Sequence, residues 1–400
     1  MAGVAEGADR WFGTGCSSAA GPRAAGREAA TAAQSGGQAK LLVVFSSSSY
    51  DAGEVVEGVC SASPPEVLVV GGTSMGQFAG GCSSDGTTPG PAVAVAALGG
   101  DGFSVATRVV PGASANRRQA GVDAASIVDE VTGSNKAMVM IVDGLTREQH
   151  EVVRGAYSVL GASVPIVGGC SADDLEYRET FQFCGTGAGV DVLVDSVVAT
   201  AIGSTGPFGV GLGHGWYKQG EPMVVTRSEG GEIALIDNEP ALEVYLRCLG
   251  VDPSVAGDAK KFQELALEHP LGLSRGDSED IRVVHSCDPG RGSLYCLADV
   301  PQGALVWTMR TDPGSLIDAA AASCSMATGG LGDAPPIGLL VFDCGARKLK
   351  LGPDNLQAEQ VTMAGAAGAP FAGFYTYGES ARTSGSRGMH HLTVASLAIG

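Results

Sequence analysis

Apolar positions along this chain fall into two alternating textures. Short continuous runs such as Lys40-Leu-Leu-Val-Val-Phe45 and Val67-Leu-Val-Val-Gly-Gly72 have the length and β-branching of strands buried on both faces. Between them, Ala, Val and Gly recur at helical spacing, which predicts helices over Pro22–Ala33 and 51–60, the second opened by Asp51. The first stretch then reads as strand 11–15, helix, strand 40–46, helix, strand 66–71, a polar Gly-rich turn over 80–90, and strand 92–98. The same order follows in strand 103–110, helix 116–131, strand 137–142, helix 148–160, strand 164–168, and a hairpin from Glu179 through the Gly185–Gly189 turn to Ile202.

This recurrence is a duplication at the level of residues. Arg23-Ala-Ala-Gly-Arg-Glu28-Ala-Ala-Thr31 matches Arg118-Gln-Ala-Gly-Val-Asp123-Ala-Ala-Ser126, and Lys40–Phe45 matches Lys136-Ala-Met-Val-Met-Ile141 in step with it. The repeats span 10–100 and 102–203. A weaker third copy, 303–399, carries Ile317-Asp318, Ile337-Gly-Leu-Leu-Val-Phe342 and Pro370-Phe-Ala-Gly-Phe-Tyr375-Thr376-Tyr-Gly378-Glu379 in the same order. A Gly-rich segment over 203–220 marks a junction between two domains, 1–220 and 221–400. Beyond it come a hairpin turning at Glu229-Gly-Gly231, a helix capped near Asp237, a polar irregular stretch over 252–280, strands 281–285 and 293–299, and a last strand 392–399. The expected fold class is α/β, with mixed sheets built from repeated strand-helix-strand-helix-strand-hairpin units.

Composition removes several function classes. With 400 residues, 44% of them hydrophobic and 17% charged, the chain can bury a full core. No run approaches a membrane span and no basic stretch precedes an apolar one, so a cytoplasmic location is expected. A net charge of −18 without a basic cluster argues against nucleic acid and anionic membrane as partners. The ten cysteines lack Cys-x-x-Cys spacing and the histidines lack His-x-x-x-His spacing, so neither disulfide framework nor metal site is expected.

Taken in order, Val164-Pro-Ile-Val-Gly-Gly-Cys-Ser171-Ala-Asp173-Asp174, Gly211-Leu-Gly-His214-Gly-Trp216, His269-Pro-Leu-Gly-Leu273, Gly338-Leu-Leu-Val-Phe-Asp343-Cys and Pro370–Glu379 with His390 resemble the FIST family. The resemblance makes 1–220 a FIST N domain and 221–400 a FIST C domain. It implies a sensory module that binds a small ligand, amino acids being the usual suggestion. Neither an F-box before Lys40 nor a kinase, cyclase or chemotaxis segment after Leu397 is read, so the output is expected to act in trans through a separate signalling protein. Some family members resemble haem-based nitric oxide sensors, and some are enzymes, so both alternatives stay open, as does an interaction scaffold.

Candidate residues cluster at the elbows that follow each second buried strand, where small residues and free amides let a ligand approach. These are Thr73 and Ser74; Ser171 and Asp173 beside Asp174; and Tyr375, Thr376 and Glu379. Arg382, Arg387 and His390 join the last set, a carboxylate, guanidinium and imidazole able to hold a zwitterion. Ordinary turns and a rim ion pair explain the same residues more plainly. Cys170, with His214 or His390 as partner, is a weak catalytic candidate, and a small buried thiol is its plainer reading. His214, between glycines and near Trp216, is the residue that a haem would use; a linker hydrogen bond is the alternative.

Overall fold

Three sheets with one strand order surround a common apolar axis. The computed structural model describes residues 10–80, 91–276, 278–382 and 388–400; most of the turn read over 80–90, and Arg387, lie outside them. The first unit contributes β1 (Trp11–Ser17), β2 (Ala39–Ser47), β3 (Leu68–Ser74), β4 (Gln77–Ala79) and β5 (Val93–Gly99). The second has β6 (Phe103–Pro111), β7 (Asn135–Val142), β8 (Ile166–Cys170), β9 (Gln182–Thr186), β10 (Gly189–Leu193) and β11 (Ser196–Ser204). The third starts with β12 (Phe208–Gly213). After a lobe of eight strands running from β13 (Tyr217–Glu229) to β20 (Leu305–Arg310), it resumes with β21 (Gly338–Cys344), β22 (Phe371–Thr376), β23 (Glu379–Ala381), β24 (Met389–His390) and β25 (Val394–Ile399).

The orders β1-β5-β2-β3, β6-β11-β7-β8 and β12-β25-β21-β22 recur, the last pair of each parallel and the others antiparallel. Each order is extended by a strand from another unit. β9 pairs β3, β23 pairs β8, and β4 pairs β22, closing a ring of exchanged strands. The sheets are therefore mixed, in a mixed α/β chain.

Period-two alternation in the buried runs explains the layering. Leu41, Val43 and Phe45 of β2, Ala137, Val139 and Ile141 of β7, and Leu340 and Phe342 of β21 face the shared axis. Their neighbours Leu42 and Val44, Met138 and Met140, and Leu339 and Val341 face outward. Helices cover those outer faces: α1 (Pro22–Ala33) and α2 (Ala52–Ser61), then α3 (Arg117–Ala125) and α4 (Gln149–Leu160). The lobe carries α5 (Ala241–Leu249) and α6 (Ala259–Glu268) around its own core. α7 (Pro313–Gly329), α8 (Gly345–Leu351) and α9 (Pro353–Ala367) cover the third sheet. On the axis, Phe45 stacks on Phe374 at 4.7 Å between centroids, and Phe342 meets Phe374 edge-on at 5.7 Å.

Local signals held where they were strong. Asp51 caps α2 by accepting the Glu54 amide at 2.9 Å. The helix read as capped near Asp237 starts at Ala241, with Pro240 at its N-cap and no side-chain cap. Four further expectations change. The hairpin read from 179 to 202 divides, its β9–β10 part leaving for the first sheet while β11 stays in the second. The helix read over 116–131 stops at Ala125 and tightens into a 3₁₀ segment, Ser126–Glu130. The irregular stretch over 252–280 contains α6, capped by Asp258 and buried chiefly through Phe262 and Ala266.

The fourth concerns the junction. Residue 220 falls inside β13, and the Gly-rich segment before it supplies β12 to the C-terminal sheet. Its alternate glycines face α7: a Cβ on Gly209 or Gly211 would stand 1.9 or 1.8 Å from the carbonyl oxygens of Ala327 and Ser323. A linker composition is thus a strand that a helix packs on directly.

Gly71, Gly168 and Gly373 occupy matching places in β3, β8 and β22, where a Cβ would meet the carbonyl oxygens of Val44, Met140 and Val341 at 1.9 Å. Gly168→Ala is expected to lower stability by about 1–3 kcal/mol through overpacking. Gly365→Ala, at an open position of α9, is expected to raise it by about 0.5–1 kcal/mol. Urea unfolding of both variants checks the pair of signs.

Candidate functional site

The elbows of the three units are stitched to one another by backbone. The Ala172 amide donates to Thr73 O at 2.9 Å, Thr73 N to Phe181 O at 3.0 Å, Met75 N to Tyr375 O at 2.9 Å, and Cys170 N to Gly378 O at 2.9 Å. Thr73, Ser74, Ser171, Asp173, Tyr375, Thr376, Glu379 and His390 are all buried around this junction. Their side chains mostly serve the junction itself.

Asp173 accepts the amides of Tyr177, Arg178 and Glu179 at 3.1, 2.7 and 3.1 Å, and the Tyr377 hydroxyl at 2.6 Å. Burial works to raise its pKa, but the tyrosine and the three amides outweigh it and hold the carboxyl below its usual range. It thereby secures a loop in which Asp174, Leu175 and Tyr177 have φ of 55°, 69° and 51°, left-handed values that cost free energy in non-glycine residues. Tyr177 stacks on Tyr377 with centroids 5.3 Å apart. Thr73 Oγ1 accepts the Phe181 amide at 3.1 Å, and Ser74 Oγ donates to Ser46 O at 3.0 Å. Ser171 Oγ is buried without a hydrogen-bond partner and faces Gly72, where a Cβ would come within 2.4 Å of it.

Glu379 is fully enclosed. Its Oε1 lies 2.7 Å from the Thr376 hydroxyl, and its Oε2 accepts from the Thr393 hydroxyl at 2.8 Å. Thr376 has one hydroxyl proton but also lies 2.9 Å from the carbonyl oxygen of Gly378. A proton on Glu379 satisfies both contacts at once. Burial, chiefly, pushes its pKa up to about 8, so the neutral acid predominates at pH 7. Although Glu379 and His390 are cross-strand partners, His390 Nε2 lies 2.9 Å from Ala381 O, and burial lowers its pKa.

A second buried group, unread in the sequence, underlies the third elbow. Arg347 donates to Asp343 Oδ1 at 2.7 Å, Glu359 Oε1 at 2.9 Å and His214 O at 2.8 Å, and Tyr375 donates its hydroxyl to Glu359 Oε2 at 2.9 Å. One guanidinium faces two carboxyls, and burial pushes both upward, Glu359 to about 8. Asp343 followed by Arg347 at i+4 was the available signal.

Cys170 lies in the apolar layer under α3 and α4, and burial keeps its thiol protonated well above the ordinary range. The thiolate chemistry weighed for it is therefore suppressed. His214 Nδ1 accepts the Trp216 amide at 2.9 Å, with Glu279, Asp280 and Arg347 as charged neighbours and a pKa lowered by burial. Such surroundings suit a hydrogen-bonded imidazole and not the apolar faces of a haem.

Arg382 departs from the other candidates. Its guanidinium stacks over Tyr157 at 4.8 Å from the centroid and lines a cavity of about 470 Å3 with Arg118, Arg154, His150, Arg282 and Asp299. Three bodies meet there: the α3–α4 layer, the lobe through Arg282 and Asp299, and the segment after β23. Arg282 is the deep member, 5% exposed, donating to Asp299 O at 2.9 Å and Ile281 O at 3.1 Å. A larger groove of about 850 Å3 runs past Trp11, Lys40, Asp101 and Phe103. Neither is lined by Ser171, Asp173, Glu379, His390 or His214. Of the cleft residues, the sequence singled out Arg382 alone; His150 and Arg154, one turn apart on α4, share a helix face.

The chain is a mixed α/β protein of interlocked units with an arginine-lined cleft between them. The chain matches the FIST N domain over residues 40–239 and the FIST C domain over 241–382, and it belongs to the FIST family, whose domains are associated with sensory and signalling roles. It is also similar to the uncharacterized protein MJ1623 of Methanocaldococcus jannaschii, at 27% identity over 158 residues, 38% of this chain and 30% of that protein. Among the described residues no helix is long and apolar enough to cross a membrane, and no three metal-ligating side chains gather.

The buried carboxyl gives a pH test. A folded-state pKa of about 8, above the ordinary value near 4.3, means that Glu379 favours folding below that ordinary value and progressively less as pH rises toward 8. Glu359 acts in the same direction. Glu379→Gln is expected to lose less stability than the wild type between pH 5 and pH 8, read from denaturant midpoints; equal slopes would place an ionised carboxylate in the core.

Proposed function

We propose that this chain is a FIST-type sensory protein that binds a small polar, amino-acid-like metabolite and signals through a separate partner. One observation carries the ligand-binding reading: in a chain of net charge −18, four arginines from three bodies line one cavity of about 470 Å3. That volume lies in the usual range of small-molecule sites, and guanidinium groups grip carboxylates in bidentate fashion. Arg382 and Arg154 would take the anionic end. Because the lobe, the α3–α4 layer and the third unit each supply wall, occupancy would tie these bodies together, a change a partner could read.

The amino-acid reading is thereby moved from Asp173 and Glu379, whose carboxyls are engaged in the elbow junction, to the cleft that Arg382 lines. A thermal-shift screen of the twenty amino acids and common carboxylates is expected to yield at least one stabilising ligand. Arg382→Ala is expected to weaken it by about 1.5–3 kcal/mol, tenfold or more in Kd by calorimetry. A screen without hits, or hits indifferent to Arg382, would count against the reading.

A further inference from the structure

Between β12 and α7 the chain leaves the third unit, builds the lobe and returns, and both passages are short. His214-Gly-Trp216 leads out to β13, and Thr311-Asp312 leads back from β20. The lobe's core is drawn wholly from residues 223–306, and its helices and strands pack chiefly on one another. Its apolar contact with the ring of units is a separate, small cluster in which Trp216, Ile281 and Met309 meet Cys344 and Leu392. A body with its own core, joined through a small contact, moves as a unit, and the backbone change is taken up where the chain enters and leaves it.

The two passages are fastened to each other and to the ring at one place. The Thr311 hydroxyl donates to Gly215 O at 2.6 Å. Gly215 has φ of 74°, and a Cβ there would stand 2.5 Å from Ser315 O, so the outgoing passage crosses directly over the start of α7. Arg347, fully buried on α8, donates to His214 O at 2.8 Å and to Leu316 O at 3.0 Å, one carbonyl from each side of the crossing. The same guanidinium is held by Asp343 of β21 and Glu359 of α9. One rigid, planar fork thus anchors both passages to the third unit. The lobe in turn supplies one wall of the arginine-lined cleft through Arg282, Ala298 and Asp299, facing α3, α4 and Arg382.

We propose that the lobe is a hinged arm, which swings as a body on the passages 214–216 and 311–312 with Arg347 as the pin that sets its angle, and that this swing opens and closes the cleft. Its link to ligand binding rests on the cleft being the ligand site. Arg347 is a positioning residue in this scheme, acting on the cleft through the lobe.

Double electron–electron resonance on the full chain tests the arm without any ligand. Spin-labelled unnatural residues at Ser158 of α4 and Leu297 of the lobe, both exposed, span the cleft and leave the native cysteines untouched. A second pair, Glu243 and Leu297, reports the lobe alone. The pair across the cleft should show the broader distance distribution. Arg347→Lys, which keeps the charge and loses the fork, should broaden it further, as should Thr311→Val, which unties the passages; the pair within the lobe should stay as in the wild type. A single narrow distance across the cleft, indifferent to both variants, would overturn the arm. Loosening of both pairs by Arg347→Lys would make Arg347 a general packing residue and remove it as the pin. If Arg347→Lys fails to fold, Thr311→Val decides, and an unchanged distance there overturns the arm. A swinging lobe with no hit in the amino-acid screen leaves the arm standing and counts against the ligand; a hit on a rigid lobe does the reverse.

Discussion

Exchange of edge strands is the constraint on which the rest of this molecule depends. A sheet edge carries unpaired amides and carbonyls, and each unit leaves one such edge along its third strand. β9 covers β3, β23 covers β8 and β4 covers β22, each supplied by another unit. The exchange also draws the elbows into one junction, because the strands that cross between units begin or end at those elbows. The backbones of Thr73 and Ala172, Met75 and Tyr375, and Cys170 and Gly378 bond to one another for this reason.

The same closeness decides the chemistry of the buried polar groups. Dense packing at the junction excludes water, so its carboxyls must be hydrogen-bonded, paired or neutral. Asp173 takes the first course and stays ionised; Glu379 takes the last. Asp343 and Glu359 divide one guanidinium between them. Polar residues there look like a site in the sequence, yet much of what they do is hold the crossing strands in register. The cleft lies instead where the joined units leave a gap, and its arginines are mostly exposed.

What the sequence discloses follows the range of the interaction involved. The runs at 40–45 and 136–141 and the cap at Asp51 are local, and the mixed α/β class was legible from them. The destination of β9–β10 was not, since a hairpin looks alike whichever edge it joins. α6 escaped because its buried face amounts to little more than Phe262 and Ala266, and β12 escaped because glycines that seat α7 resemble linker composition. Of the cleft, Arg382 alone was singled out. Arg118, Arg154 and Arg282 are scattered along the chain and meet only through packing, which no spacing rule registers.

The ring of exchanged strands also sets a timetable. A ribosome delivers this chain from the amino end, so β3 waits for residues 182–186, β8 waits for 379–381, and β4 waits for 372–374. The first two units are complete in sequence long before their sheets are complete in space. Contacts between such distant segments are slow to form, and open edges attract foreign strands meanwhile. Residues 371–399, arriving with β22, β23 and β25, are the clasp for the second and third sheets, so a chain stalled before them would be left with the outer edge of β8 and with β4 bare.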